Sequence, residues 1–244
     1  MDPDGENINR GCGALHPQAL QEAVRAHGAH IGVALDGDAD RAIFVDERGD
    51  VVDGDEVMAM LAADLDARGE LRERTLVATV MSNLGLHVAM REQGIRVLTT
   101  PVGDRYVVEE MLRGGHNLGG EQSGHIVFLD HNTTGDGLVT ALGVLALLVE
   151  KAVPLSELRR VMRRFPQVLL NVPVAAKKPL DAVPALQAAI ARTEGVLGER
   201  GRVLVRYSGT EALLRVMLEG EHEAQIRALA EEIAGTARTA LGAR

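Results

Sequence analysis

From residue 52 to residue 151, short apolar runs alternate with helical stretches, and this alternation constrains the fold more than any other feature of the chain. Residues 54–67 read as a helix, and 75–80 and 97–100 as strands. Residues 118–120 and 126–129 read as strands flanking a glycine-rich turn, and 135–151 as a long apolar helix. Ser82 is expected to cap the helix after the first of these strands, and 103–112 to run as a loop into a further helix. Strands that alternate with helices predict a largely parallel sheet covered on both faces. The fold class is α/β.

The flanking segments follow different rules. Residues 2–13 are rich in Asp, Asn and Gly and read as loop. A helix over 16–30 carries Leu20, Ala23, Val24 and His27 at helical spacing, with Pro17 suited to its first turn. An apolar strand at 31–35, a charged loop at 36–41, a strand at 42–45 and a turn at 46–50 come next. This order resembles the tail of an α/β domain. After Pro166 the pattern becomes α+β. Strands at 168–174, 203–207 and 213–218 join a helix at 181–193. A last helix carries the stripe Ile226, Leu229, Ile233, Ala237 and Leu241. Three segments are expected: 1–51, 52–164 and 165–244.

Composition excludes several classes of function. The net charge of −9 disfavours nucleic acid and anionic membrane surfaces. Two Tyr, three Phe and no Trp leave almost no platform for stacking single-stranded bases. The single cysteine, Cys12, excludes an internal disulfide and a Cys-rich zinc module, which makes the cytoplasm the expected compartment. The longest apolar run, 139–149, is far shorter than the ~20 residues of a membrane span. The polar, acidic opening does not read as a secretory signal.

Three constellations carry chemistry. In Asp36-Gly37-Asp38-Ala39-Asp40-Arg41, carboxylates on alternate residues can converge on one hard cation, and oxygen-only donors favour Mg²⁺ or Ca²⁺ over zinc. An EF-hand loop would need Gly where Arg41 stands, with helices on both sides. The plain alternative is a solvated acidic turn, opposed by the mutual repulsion of three carboxylates. In Gly120-Glu121-Gln122-Ser123-Gly124-His125, alternating Glu121, Ser123 and His125 share one face of extended backbone. The first two suit sugar hydroxyls and the third a proton near neutral pH. A capped turn with a packed histidine explains the same residues equally well. In Arg206-Tyr207-Ser208-Gly209-Thr210-Glu211, an arginine, two hydroxyls and free amides around a glycine suit a phosphate, or else form an ordinary β-turn. Arg105, in Gly103-Asp104-Arg105-Tyr106, could face a phosphate or a structural ion pair.

Taken in order and at this spacing, the three motifs resemble those of the α-D-phosphohexomutase family. Gln122, the stretch Phe128–Gly137 and the opening Asn7-Ile8-Asn9 with Gly11-Cys12-Gly13 resemble its phosphoglucosamine mutase branch. The resemblance covers essentially the whole chain. It implies a four-domain fold of mixed-sheet α/β domains and a smaller α+β domain. This chain matches the end of domain II (1–51, with the metal loop), domain III (52–164, sugar-binding) and domain IV (165–244, phosphate-binding). The family's catalytic phosphoserine is then expected on an N-terminal half outside this chain, which becomes its expected partner. Ala212, where the family commonly has proline, departs from the pattern, and Tyr207 is a tolerated variant.

The resemblance also implies roles. Asp36, Asp38 and Asp40 would bind Mg²⁺. Arg41 would sit at the reacting phosphate, and His125 would act as a general base or an orienting group. Glu121 and Ser123 would hold sugar hydroxyls. Arg105, Arg206, Ser208, Gly209 and Thr210 would contact the phosphosugar. The implied reaction converts glucosamine 6-phosphate to glucosamine 1-phosphate, a cell-wall precursor, through a 1,6-bisphosphate. Two alternatives stand beside it. One is a non-catalytic module that binds sugar phosphate and Mg²⁺. The other is a haloacid-dehalogenase-like phosphatase with Asp36 as nucleophile and Asp38 as acid, which Asp40-Arg41 fits poorly.

Overall fold

The computed structural model describes residues 4–209 and 211–242. The chain divides into two compact units, the first ending at Arg163 and the second starting at Arg164.

The first unit opens with α1 (Gln18–His27), which ends at Gly28 in the left-handed conformation. Pro17 stands at its N-cap. An antiparallel sheet follows, made of β1 (Ile31–Leu35), β2 (Ala42–Asp46) and the two-residue β3 (Val51–Val52). α1 lies so close to β1 that a Cβ on Gly32 would meet Val24 at 2.7 Å and Leu20 at 2.9 Å. The strand β3 escapes a reading of the sequence because two valines are too short to show a period.

The rest of this unit is a four-stranded sheet ordered β5-β4-β6-β7: β4 (Thr75–Thr79), β5 (Arg96–Thr100), β6 (Leu118–Gly120) and β7 (Ile126–Phe128). β4 runs parallel to β5 and β6, and β7 is antiparallel to β6. The sheet is therefore mixed, because the short connection from β6 to β7 can only make a hairpin. One face packs against α2 (Gly54–Ala67), α3 (Leu84–Glu92) and α5 (Gly137–Lys151), burying Met58, Leu76, Leu86, Met90, Leu118 and Val144. The other face packs Val77 and Val127 against Val107 and Met111 of α4 (Asp104–Gly114). A single turn, α6 (Leu155–Leu158), precedes the end of the unit.

Two local expectations are corrected. Asn83, not Ser82, caps α3, its side chain accepting the Gly85 N–H at 2.9 Å. The segment from Gly103 is not a loop, because α4 begins at Asp104. α2 starts where its sequence says it should, with a capping box between Asp53 and Glu56. Arg159 clasps the first sheet to α2. Its guanidinium reaches Glu56 at 2.8 Å, Asp46 at 3.1 Å and the Val51 carbonyl at 2.9 Å.

In the second unit, β8 (Gln167–Pro173), β9 (Gly201–Tyr207) and β10 (Leu213–Gly220) form an antiparallel sheet with β10 in the centre. It packs against α7 (Pro184–Leu197) and α8 (Glu223–Leu241). Ile226, Ile233, Ala237 and Leu241 are buried and Leu229 partly so, matching the stripe in the sequence. No single helix among the described residues is long and apolar enough to cross a membrane.

Candidate functional site

The acidic loop joins β1 to β2 and folds back on itself. The Arg41 N–H donates to Asp36 Oδ1 at 3.2 Å, and the Ala39 N–H to the Asp36 carbonyl at 3.2 Å. The loop packs closely at Gly37, where a Cβ would lie 2.5 Å from the Ile8 side chain. The turn brings oxygens of Asp36, Asp38 and Asp40 within 4.8 Å of one another. Asp40 Oδ1 is buried and has no hydrogen-bond partner among the described residues. Burial pushes the Asp40 carboxyl above its ordinary range; His125 pulls it back, and neighbouring Asp36 and Asp38 add to the upward push. A bound cation reverses that balance, so three crowded oxygen donors with an unpartnered buried atom fit a hard divalent ion. The Arg41 guanidinium lies 3.8 Å from Asp36 and 3.9 Å from Asp40.

The second loop is the hairpin between β6 and β7. The Glu121 N–H donates to the His125 carbonyl at 2.9 Å and the Gly124 N–H to the Glu121 carbonyl at 3.0 Å. It is attached directly to the acidic loop. Arg41 and His125 form an antiparallel bridge, and the Ala42 N–H donates to the Gly124 carbonyl at 3.1 Å. Gly124 has φ of 92°, and a Cβ there would stand 2.3 Å from the Ala42 carbonyl, so only glycine allows this approach.

His125 is buried, and both ring nitrogens are engaged. Nε2 accepts the Gly135 backbone N–H at 3.2 Å. A backbone N–H only donates, so Nε2 carries no proton. Nδ1 then holds the proton and donates to Asp40 Oδ2 at 3.0 Å. In this arrangement the ring hydrogen-bonds a carboxylate of the acidic loop.

Arg41, Glu121, Gln122 and Ser123 line one cleft of about 350 Å³, together with Thr79, Met81 and Val102. Glu121 Oε1 accepts the Gly103 N–H at 3.0 Å, which fixes the carboxylate at the start of α4. Arg105 turns to the solvent face of α4 and pairs with Glu109 at 2.7 Å. It is not among the residues lining the cleft.

Sequence reasoning missed the support beneath this loop. Asp55 of α2 is fully buried, and its Oδ2 accepts the Asn83 N–H at 2.7 Å and the Gln122 side-chain amide at 3.0 Å. The Gly54 N–H donates to the Gln122 carbonyl at 3.0 Å. A Cβ on Gly54 would stand 2.2 Å from the Glu121 carbonyl. The available signal was weak, because Asp55 stands between Gly54 and Glu56 in the acidic first turn of α2, where carboxylates are common.

The third motif belongs to the second unit, at the turn from β9 to β10. Ser208 is buried, its N–H donates to the Leu213 carbonyl at 2.9 Å, and its hydroxyl donates to Glu211 Oε2 at 3.3 Å. Lys177 Nζ donates to the carbonyls of Ser208 at 2.6 Å and Gly209 at 3.3 Å. Arg206 stands opposite Arg215 in the β9–β10 ladder. Arg215 pairs with Glu211 at 3.3 Å, which offsets part of the repulsion between the two like charges. Arg215 and Lys177 were not anticipated; Arg215 could have been found from the hairpin register. Thr210 lies outside the described residues.

Three family descriptions match this chain. "Phosphoglucomutase/phosphomannomutase, alpha/beta/alpha domain II" matches residues 3–49, "alpha/beta/alpha domain III" matches 53–165, and the "C-terminal domain" matches 169–236. The "Phosphoglucosamine mutase" of Syntrophotalea carbinolica is 57% identical over 244 residues, covering 100% of this chain and 53% of that protein. The protein of the same name from Symbiobacterium thermophilum is 59% identical over 239 residues, 98% of this chain and 54% of that protein. The chain thus spans about half the length of these relatives. Among solved structures, Aspergillus fumigatus N-acetylphosphoglucosamine mutase, in complex with GlcNAc-6P and magnesium, superposes with a TM-score of 0.76 at 24% identity. That match covers 98% of this chain and 55% of the fungal one, and it shows the likeness of fold.

Proposed function

Because this chain belongs to the phosphoglucomutase/phosphomannomutase family, we propose that it is the metal-, sugar- and phosphate-binding part of a phosphoglucosamine mutase. Its reaction interconverts glucosamine 6-phosphate and glucosamine 1-phosphate through a 1,6-bisphosphate. The observation that carries this reading is the direct attachment of the acidic loop to the Glu121–His125 loop through the Arg41–His125 bridge and the His125–Asp40 hydrogen bond. That attachment puts the three carboxylates of the acidic loop next to the cleft of about 350 Å³, which supports the reading.

Asp36, Asp38 and Asp40 would hold Mg²⁺, which when bound neutralises charge on a transferring phosphoryl group. Arg41 at the cleft wall attracts the same phosphoryl oxygens. Glu121 and Ser123 accept and donate hydrogen bonds to sugar hydroxyls. His125 keeps Asp40 aimed, its proton held at Nδ1. Arg206, Ser208 and Gly209, with Thr210, bind the phosphate that is not reacting. The phosphoryl donor on the family's serine would come from an N-terminal half. Such a phosphosugar enzyme would work in the cytoplasm.

Phosphorus NMR tests the reading. The sample contains glucosamine 6-phosphate, catalytic glucosamine 1,6-bisphosphate and Mg²⁺, with this chain alone and with the N-terminal half of a relative added. Glucosamine 1-phosphate is expected only in the mixed sample. Product from the chain alone would place the phosphoryl carrier on this chain. No product in either would leave a module that binds sugar phosphates without turning them over.

A further inference from the structure

We propose that the outer face of α5, together with the open edge of β1, is a docking surface, and that its occupant is an N-terminal half like that of the longer relatives. The surface is defined by packing and does not depend on which ligand the cleft takes.

α5 is apolar on both sides. From Gly137 to Val149 it carries no charged residue. Its inner face buries Ala141, Val144 and Leu147. Its outer face carries Leu138, Leu142, Leu145 and Val149, which are 60%, 66%, 37% and 81% exposed. Their spacing of four, three and four residues makes one continuous stripe along the helix. A folded chain seldom leaves such a stripe to water. The outer face of α8 is the contrast, since it carries the ion pairs Glu223–Arg227 and Glu231–Arg238.

The edge of β1 is open beside this stripe. β1 pairs with β2 on one side, and no strand among the described residues pairs with its other side. The Ala14 N–H closes the last carbonyl of that strand, at Leu35. The hairpin of β6 and β7 is built alike: each hairpin follows a helix, α1 or α4, and carries a motif loop at its tip. There the second edge is filled, because β6 pairs with the parallel strand β4 as well as with β7. β1 thus has room for one more strand, and strand addition to an open edge supplies main-chain hydrogen bonds. The two surfaces meet, since a Cβ on Gly137, at the start of α5, would stand 2.7 Å from the side chain of Leu35, at the end of β1.

Length and order identify the occupant. This chain covers 53% and 54% of the two relatives described above. The C-terminal domain description already accounts for residues 169–236, so the further length of those relatives precedes the matched part. The alpha/beta/alpha domain II description matches residues 3–49, which hold one helix and the strands β1 and β2. A domain of that architecture has helices on both faces of its sheet. The preceding half is the source of the strand for β1 and of the apolar surface for α5.

The test is co-expression of this whole chain with the N-terminal half of the Syntrophotalea carbinolica relative. A one-to-one complex is expected by size-exclusion chromatography with light scattering, with slower amide hydrogen exchange at residues 31–35 than in the chain alone. Leu142→Asp and Val149→Asp put a charge into the apolar contact, and each should weaken the complex by about a hundredfold. Both positions face water in the chain alone, so its circular dichroism and melting should not change. Arg227→Glu, on the charged face of α8, should leave the complex intact. No complex, or a complex that both Asp variants leave intact, overturns the proposal. A chain that dimerises alone and is dispersed by Leu142→Asp overturns it in favour of a second copy. Binding to phosphatidylcholine vesicles that the same variants abolish overturns it in favour of a lipid surface. Mass and exchange are read without turnover. A complex that yields no glucosamine 1-phosphate therefore supports the docking and counts against the proposed reaction alone.

Discussion

The Nδ1–H of His125 donates to Oδ2 of Asp40 at 3.0 Å across 85 residues of sequence. This one bond joins the β6–β7 hairpin to the acidic loop, and the Gly135 N–H on the opposite nitrogen fixes the tautomer that makes it.

The first prediction follows from that bond. His125→Phe keeps a ring in the site and loses the hydrogen bond to Asp40. It should weaken Mg²⁺ binding by about tenfold, as losses of groups that orient metal ligands do. Isothermal titration calorimetry measures this, with circular dichroism confirming the fold. Unchanged Mg²⁺ affinity would show that His125 does not orient Asp40.

Two glycines on helices provide a matched pair. A Cβ on Gly54 would stand 2.2 Å from the Glu121 carbonyl of the β6–β7 hairpin, so backbone must shift to admit it. Gly54→Ala should cost about 1–3 kcal/mol. A Cβ on Gly143 of α5 would meet Leu61 and Phe128 at 3.6 Å, ordinary contact distance. Gly143→Ala should add about 0.5–1 kcal/mol through helix propensity. Urea unfolding of both variants checks the contrast, and equal effects would show that the α2–loop contact is loose.

Asp136 gives a pH dependence. Backbone N–H groups at the start of α5, that of Val139 foremost, hold its carboxyl below the ordinary range, with Asn132 and Leu138 adding to the effect. A carboxyl lowered by folding contributes stability above its unfolded value, and that stability is lost as pH falls through the folded value. Asp136→Ala should therefore cost about 1 kcal/mol at pH 7. The gap from the unmodified chain should narrow only below the ordinary Asp value of 3.8. Thermal melts across pH 7 to pH 2.5 follow the gap, and a gap that narrows already near pH 6 would assign it to another group.

Arg159 tests the clasp between the first sheet and α2. Burial pushes the Glu56 carboxyl up, and the Arg159 charge pulls it down. Arg159→Met leaves Glu56 and the buried Asp46 without that cation, at a cost of about 3–5 kcal/mol. Without Arg159 the Glu56 value rises further. A raised carboxyl gives stability that is present below its unfolded value and lost as pH rises through the folded one. The variant should be more destabilised at pH 8 than at pH 5, as read from urea unfolding at both. The opposite order would show that Glu56 is not the group left exposed to the change.

Much of the fold was legible because its signals are local. Gly54–Ala67 announces itself by Asp53 and Glu56, which form a capping box. Ile31–Leu35 is a short apolar run between loops, and α8 shows its stripe at helical spacing. The choice of Ser82 over Asn83 as a cap failed because both are good caps and only the backbone decides which one stands at the helix start. The two valines of β3 carry no period at all, and they become a strand only by pairing with Phe44 and Val45.

The sequence by itself determined which chemistry was present: three alternating carboxylates, a glycine-bounded Glu-Gln-Ser-Gly-His loop, and an Arg-Tyr-Ser-Gly-Thr-Glu turn. These are short motifs whose residues stand side by side, so spacing along the chain is nearly spacing in space. The tertiary structure alone decided how those residues are held. It put His125 on Asp40, Asp55 under Gln122, and Arg105 against Glu109 outside the cleft. Each of those outcomes depends on the direction of a side chain. Direction is set by the packing of helices and strands that lie tens of residues apart, and no local pattern records it.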